Sequence, residues 1–146
     1  MERIISTIVK KFYDDDKIKS LDISTGCYSG HVYLVGEYDT TDQKNRAIKI
    51  AKSVEGVNNV TTYLLPKKKG DSCGTAENLE IAGKVKAKLV GDKDIWSTNI
   101  DIKSIQCQVV LYGLVGSKKE INKAIAHAKG VEGIRGVKSF LESANP

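Results

Sequence analysis

The sequence lacks the residue clusters that most enzymes and metalloproteins need. It has 2 histidines and 3 cysteines, with no C-x-x-C pair, so no group of ligands has the spacing of a zinc site. Its glycine-rich stretches, residues 70–74 and 130–136, lack the Lys-Ser/Thr ending of a phosphate loop, and we interpret them as turns. The chain is therefore predicted not to be an enzyme, with no catalytic residues, no cofactor and no metal.

Long apolar runs and strong charge of one sign are also missing. No stretch approaches the ~20 consecutive apolar residues that cross a bilayer. The formal net charge is only +5 and is spread along the chain, which argues against a nucleic-acid partner. A mild positive charge is compatible with attraction to an anionic membrane surface, although the charge alone favours simple solubility.

What the sequence does contain is one long internal repeat. Residues 31–64 align without a gap with residues 108–141, a shift of 77 that takes His31 to Gln108. Gly36 meets Gly113, Ala51 meets Ala128, and both copies end in V-E-G-[VI]-x-x-V. Solenoid repeats have periods of ~20–50 residues, so this longer period predicts a duplicated small domain.

Each copy carries the signals of a strand, a helix and a closing strand. Residues 31–35 are β-branched and aromatic, and Gly36 is predicted to end that strand. Capping-box pairs then mark the helix starts, with a hydroxyl residue followed three positions later by Gln or Glu: Thr40 and Gln43, Ser117 and Glu120. The buried helix stripe of the first copy is Ala47, Ile50, Ala51 and Val54. Gly56 and Gly133 are predicted to stop these helices, before strands 57–65 and 134–141.

The chain opens with an amphipathic helix that also repeats, since Ile4 matches Ile81 and Phe12 matches Leu89. It is broken by charge and lacks the continuous apolar core of a secretory signal. We therefore expect either a cytoplasmic protein or a mature form with Met1 added. Further strands are predicted near residues 20–27 and 99–104.

The sequence thus predicts an α+β fold with two tandem domains, each ordered α-β-β-α-β. The first domain is predicted to span residues 1–65 and the second residues 75–146, with a polar linker at 66–74. Each has a three-stranded mixed sheet with two helices on one face. Domains this small bury little surface, so we expect the copies to pack together.

The histidines and cysteines are interpreted as structural. His127 occupies the position of Ile50 and is expected to be packed and hydrogen-bonded rather than a ligand. Cys27, Cys73 and Cys107 fall outside the repeated pattern and fit small buried or loop thiols. A disulfide with one leftover thiol is the alternative in an exported protein, with the pairing left open. Cys73, beside glycine in the linker, is predicted to be the most exposed.

The strand-Gly, helix and V-x-G-V-x-x-V arrangement resembles the BON domain, named for bacterial osmotic-shock and nodulation proteins. The resemblance covers nearly the whole chain as two tandem domains. It implies a non-enzymatic envelope protein, periplasmic or associated with the outer membrane, that binds anionic phospholipid and supports envelope integrity. The alternatives are a soluble periplasmic chaperone induced by osmotic or envelope stress, acting on unfolded clients, and an interaction or oligomerisation module that binds envelope proteins.

The same resemblance implies that the second domain contacts lipid around its first helix and the following loop. In this sequence that region contains the candidate lipid-binding residues Lys84, Lys86, Lys88, Lys93 and Trp96. Lys84 and Lys88 are i, i+4 neighbours on one helix face. Trp96 is the only tryptophan, and such residues favour sites with one apolar and one wet side. A Trp that covers the edge of its own core is the competing interpretation.

Overall fold

The chain forms two compact units, and the boundary between them falls between Lys67 and Lys68. The structure, a computed structural model, describes residues 2–144; Met1, Asn145 and Pro146, which the sequence assigns to the terminal domains, lie outside the described residues. Each unit has the order helix, strand, strand, helix, strand, so the predicted α+β duplication is confirmed. Within residues 2–144, no helix combines the length and the apolarity that crossing a membrane requires.

The elements of the two units correspond one to one. The first unit contains α1 (Glu2–Tyr13), β1 (Ile23–Tyr28), β2 (His31–Tyr38), α2 (Thr41–Ser53) and β3 (Asn59–Pro66). The second contains α3 (Thr75–Val90), β4 (Ile100–Ile105), β5 (Gln108–Val115), α4 (Lys118–Lys129) and β6 (Gly136–Ser143). A short 3₁₀ turn, Ser97–Asn99, precedes β4. β3 therefore extends to the first residue of the predicted linker.

Each sheet is mixed, and the second strand of each unit lies in the middle. The strand orders are β1-β2-β3 and β4-β5-β6, with the first pair antiparallel and the second parallel. Parallel neighbours need a crossover connection, which α2 and α4 supply. Tight two-residue turns join β1 to β2 and β4 to β5, with left-handed backbone at Ser29, Gly30, Gln106 and Cys107.

The core of each unit lies between the sheet and its two helices. In the first unit, Val32 and Leu34 of β2 pack with Ile8, Ala47 and Ala51 of the helices, all of them fully buried. The second core repeats this pattern with Val85, Val109, Leu111, Ala124 and Ala128. Alanine at the helix positions lets each second helix approach the sheet closely. The predicted equivalences of Gly36 with Gly113 and of Ala51 with Ala128 are confirmed.

The prediction that Gly36 ends its strand is wrong. β2 continues to Tyr38, and Gly36 pairs with Ile23 in the sheet. A Cβ at Gly36 would lie 2.1 Å from the carbonyl oxygen of Asp22, and one at Gly113 would lie 2.1 Å from that of Asn99. These glycines therefore allow a close backbone approach within the sheet and do not terminate it.

The helix starts agree with the sequence, but the helix ends do not. Thr40 and Gln43 form a reciprocal capping box, and the Ser117 hydroxyl accepts a bond from the Glu120 N–H, so both predicted caps are confirmed. However, α2 ends at Ser53 and α4 at Lys129, so the prediction that Gly56 and Gly133 stop these helices is wrong. Both glycines lie in the next turn, with φ +94° and +92°. Glycine tolerates this conformation at little cost.

The cysteines match the alternative prediction of one disulfide with a leftover thiol, but not the predicted exposure. Cys73 is buried, with 8% of its surface exposed, so its predicted exposure is wrong. It forms a disulfide with Cys107, with the two Cα atoms 5.8 Å apart, a separation within the normal range. Cys27 is a buried free thiol in the first unit.

Candidate functional site

Helix α3 carries three of the five candidate lipid-binding residues. Ile81, Val85 and Leu89 recur at i, i+4, i+8 and are buried against the second sheet, which fixes the orientation of the helix. Lys84, Lys86 and Lys88 project outward and are exposed.

The three lysines do not share one face of α3. Lys84 and Lys88 are one turn apart on the same flank, and Lys84 forms an ion pair of 3.1 Å with Glu80. Lys86 lies two residues from each, which is a rotation of about 200° around the helix axis. The Lys88 ammonium sits beside Gly130, 2.9 Å from where a Cβ would be, at the C-terminal end of α4. The partial negative charge of that helix end favours a cation there.

The exposed face of α3 also presents large apolar side chains. Leu79 is 70% exposed and Val90 is 61% exposed, and with Lys86 they recur at the spacing of one helix face. Leu79 and Val90 were not predicted from the sequence as part of this surface, although their position off the buried stripe was a usable signal. We name Leu79, Lys86, Val90 and Trp96 the apolar-basic surface.

Trp96 lies in the loop after α3 and is 62% exposed, so it does not cover its own core. Its neighbour Ile95 is 6% exposed and packs into the second core. The Trp96 carbonyl accepts a hydrogen bond of 3.1 Å from the N–H of Asn99, which closes the 3₁₀ turn. Lys93, three residues earlier, is exposed in the same loop. The backbone on either side of the indole is thus fixed while the ring itself faces outward.

Ion pairs fasten this loop to α4. Asp92 accepts hydrogen bonds from His127 Nε2 at 2.9 Å and from the Lys123 ammonium at 3.2 Å, and Lys123 also contacts Asp94 at 3.0 Å. The His127 hydrogen bond, the backbone N–H of Asp94 and the Lys123 hydrogen bond together hold the pKa of Asp92 well below its usual range. Asp94 and Asp92 in turn raise the pKa of Lys123. The prediction that His127 is a packed, hydrogen-bonded histidine is confirmed.

The first unit has apolar residues at the matching helix positions. Val9 and Tyr13 of α1 are 48% and 75% exposed, and they correspond to Lys86 and Val90. The loop after α1 carries Lys19 where the second unit has Trp96. Only the second unit therefore combines exposed apolar side chains, lysines and a tryptophan around its first helix.

A cleft in the first unit lies between the loop after α1 and the helix α2. It is lined by Asp15, Arg46, Lys49, Ile50 and Ser53 and has a volume of about 270 Å³. Arg46 is already bound to Asp15 through its Nε. In the second unit the matching positions include Lys123 and His127, which contact Asp92 instead.

A duplicated α-β-β-α-β domain, with helices on one face of a mixed sheet, defines a class of small α+β modules. The chain belongs to the BON domain family, whose sequence profile matches residues 2–65 and 78–145. The family resemblance seen in the sequence is confirmed.

The chain is similar in sequence to several known proteins. The chain is 32% identical to the osmotically-inducible protein Y of Escherichia coli over 142 residues, which is 96% of this chain and 71% of that protein. It is 30% identical to the outer membrane lipoprotein DolP of Haemophilus influenzae over 110 residues, covering 75% of this chain and 56% of the lipoprotein. An uncharacterized protein of Anaplasma centrale is 27% identical, with coverage of 94% and 91%.

Among solved structures, CdsD, a structural protein of the type III secretion system of Chlamydia trachomatis, aligns with a TM-score of 0.39 at 14% identity. The alignment covers 99% of this chain and 64% of that one, so the chain spans less than two thirds of the CdsD structure.

Proposed function

We propose that the chain is a non-enzymatic bacterial envelope protein whose second domain binds anionic phospholipid surfaces. Residence in the periplasm, with association to the outer membrane, is supported by relatives named for osmotic induction and for the outer membrane. The Cys73–Cys107 disulfide supports an oxidising compartment as well.

One observation carries the membrane proposal: the apolar-basic surface of the second unit is exposed, while the backbone of α3 and of the following loop is held in place. Leu79, Val90 and Trp96 are each more than 60% exposed, and the exposed Lys86 lies between Leu79 and Val90 on the same face of α3. A Trp side chain is favoured at the level of the lipid head groups because its ring is amphipathic. Each lysine near an anionic surface contributes about 1 kcal/mol to the binding free energy. Because Ile95 and the Asp92 ion pairs already order the loop, little conformational entropy is lost on docking.

A soluble periplasmic chaperone or protein-interaction module is the second candidate. The exposed Val9 and Tyr13 of α1 favour it, because an apolar helix face in the first unit also suits an unfolded client or an envelope protein. Lipid binding through the second unit and client binding through the first make different predictions for variants.

The test is sedimentation with vesicles of phosphatidylglycerol and phosphatidylcholine, compared with phosphatidylcholine alone. Trp96→Ala and Lys86→Glu change the apolar-basic surface and should each bind less than the parent. The double variant Lys84→Glu, Lys88→Glu lies on the other flank of α3 and should bind less through its change of charge alone. The loss in the charge variants should shrink as the salt concentration rises. Lys11→Glu, at the position of Lys88 in the first unit, is the matched charge control and should bind like the parent.

The outcomes separate the two functions. If Trp96→Ala and the lysine variants stay folded and bind as the parent does, the second unit is not the membrane site. Suppression of aggregation of an unfolded client without lipid, lost in Tyr13→Ser and retained in Trp96→Ala, would favour the chaperone.

A further inference from the structure

We propose that residues 71–78 form a redox-controlled clamp, in which the Cys73–Cys107 disulfide fastens the start of α3 to the β4–β5 turn. The clamp lies wholly within the second unit and does not depend on the membrane proposal. Four features of that unit support the proposal. They are the disulfide, an asparagine hydrogen-bonded to three segments, an arginine–aspartate ion pair, and a turn with left-handed backbone.

Asn78, in the first turn of α3, connects these segments through one side chain. Its Oδ1 accepts hydrogen bonds from the Ser104 hydroxyl at 2.7 Å and from the Cys107 N–H at 3.1 Å. Its Nδ2 donates to the carbonyl of Gly74 at 3.0 Å. The helix start, strand β4 and the turn that carries Cys107 are therefore held together around the disulfide.

Arg135 closes the clamp from the other side. Its guanidinium binds both carboxylate oxygens of Asp71, with a distance of 2.9 Å to Oδ2, and also donates to the carbonyl of Gln106 at 3.1 Å. The Asp71 Oδ1 in turn accepts the N–H of Cys73 at 3.1 Å. This arginine, together with the Cys73 N–H, holds the pKa of Asp71 well below its usual range. Asp71, two residues before Cys73, is thereby fixed to the turn that contains Cys107.

The backbone of the turn distinguishes Cys107 from its counterpart in the first unit. Gln106 and Cys107 have φ of +51° and +58°, a left-handed conformation that non-glycine residues rarely adopt. The equivalent turn of the first unit has Ser29 and Gly30, with φ of +53° and +81°. A cysteine thus occupies a position where the duplicated unit has glycine, and the disulfide compensates for the unfavourable backbone.

A dithiol, either a protein dithiol or a small molecule, supplies the electrons that reduce this bond. One thiolate attacks a sulfur of the Cys73–Cys107 pair, the other sulfur leaves and takes up a proton, and a mixed disulfide remains. The second thiol of the reductant then resolves it. The protein gains two electrons and two protons as Cys73 and Cys107 become thiols, while the dithiol is oxidised to a disulfide.

Burial makes this step conditional on opening of the clamp. Cys73 and Cys107 are 8% and 6% exposed, so an attacking thiolate reaches them only when residues 71–78 move away from the turn. Once reduced, the segment is held only by the polar contacts of Asn78 and Arg135. We then expect residues 71–74 to detach from the turn that carries Cys107 and the first turn of α3 to fray.

Thiol titration of the denatured full chain tests whether the bond forms. One free thiol, Cys27, is expected in the air-oxidised protein, and three after reduction. Three free thiols before reduction would overturn the proposal.

Amide hydrogen exchange then tests the clamp. On treatment with dithiothreitol, peptides covering residues 71–80 should exchange at least about tenfold faster, while peptides covering β2 should not change. Equal exchange of residues 71–80 in the oxidised and reduced chains would overturn the proposal.

Cys107→Gly is the sharpest variant because it removes the bond and supplies the residue that the first unit has at this turn. Without reductant it should exchange like the reduced parent over residues 71–80 and should not respond to dithiothreitol. Cys27→Ala is the control and should respond as the parent does. Parent-like protection in Cys107→Gly, or loss of the response in Cys27→Ala, would contradict the clamp.

Discussion

Arg46 donates a hydrogen bond from its Nε to a carboxylate oxygen of Asp15, 31 residues earlier in the chain. The second unit repeats this contact 77 residues later, where the Lys123 ammonium binds Asp92. In both units a basic residue of the second helix holds the loop that follows the first helix. The duplication has therefore kept a polar contact between elements as well as the apolar core.

The second unit has strengthened this contact. His127, at the position of Ile50, adds a second donor to Asp92, and Asp94 adds a second acceptor for Lys123. The loop fastened in this way is the one that presents Trp96. The additional polar contacts therefore occur in the same unit as the exposed tryptophan.

Asp92→Asn tests this contact through pH. The depressed pKa of folded Asp92 means that its contribution to stability is complete above the unfolded value of about 3.9 and declines as pH falls toward the folded pKa. The variant should melt below the parent at pH 7, and the difference should shrink between pH 4 and pH 2. Thermal melts followed by circular dichroism measure it.

Asp16→Asn is the control for Asp92→Asn, because the Asp16 carboxylate is 92% exposed and forms an ion pair with Lys19 of the same loop. Its melting temperature should follow the parent across the same pH range. A difference between Asp92→Asn and the parent that stays constant down to pH 2 would contradict the role of the ionised carboxylate.

Gly36→Ala and Gly113→Ala test the close approach within the sheets. Each added Cβ would lie 2.1 Å from a carbonyl oxygen of the neighbouring strand region, so the backbone must shift. We expect a loss of about 1–3 kcal/mol in the free energy of unfolding, larger for Gly113 because its φ is +144°. Denaturant unfolding measures both.

Gly83→Ala provides the matched control for these glycine variants. Gly83 lies within α3 with nothing within 4 Å of an added Cβ. Alanine there should stabilise the chain by about 0.5–1 kcal/mol, since it restricts the unfolded chain and favours helix. If Gly36→Ala behaves like Gly83→Ala, the close approach is not a constraint.

Gly56→Val and Gly133→Val test the turn after each second helix. Both positions have positive φ, and a β-branched residue is strained there. Gly133 has open space around it, so its variant should lose about 1–2 kcal/mol through backbone strain alone. At Gly56 the side chain of Ile4 lies 3.0 Å from the added Cβ and increases the loss. Unchanged denaturation midpoints for both variants would refute this role.

The fluorescence of Trp96 reports on its surroundings directly, because it is the only tryptophan. In the free protein, its 62% exposure predicts efficient quenching by acrylamide. With phosphatidylglycerol vesicles we expect a shift to shorter wavelength and weaker quenching, and with phosphatidylcholine alone no change. The same spectra for Tyr13→Ala would confine the contact to the second unit, whereas an unshifted emission with anionic vesicles would place Trp96 outside the lipid contact.

The repeat in the sequence predicted the order and type of the elements because buried positions of equivalent helices and strands have the same periodicity. Predictions failed where local signals have more than one structural meaning. Gly36 signals a strand end as readily as a close approach, and only the 2.1 Å distance to the Asp22 carbonyl distinguishes the two. Gly56 marks a turn, but the helix before it ends three residues earlier, at Ser53. The first strand begins at Ile23 because residues 15–21 form turns, including the bond from the Lys19 N–H to the Asp15 carbonyl.

The candidate surface was predicted only in part. The sequence indicated the region from α3 to Trp96, while its assignment to lipid remains a prediction. Burial then showed that Leu79 and Val90 are apolar residues of α3 that the core leaves exposed.

The sequence by itself determined the duplication, the α-β-β-α-β order, the capped helix starts and the buried stripes, because each of these depends on neighbours within a few residues or on a fixed period. The tertiary structure decided the pairing of Cys73 with Cys107, the clamp of Arg135 on Asp71, and the contact of His127 with Asp92. These partners are separated by 34, 64 and 35 residues, and no periodicity relates them. They meet because packing of the helices onto the sheet brings their loops together.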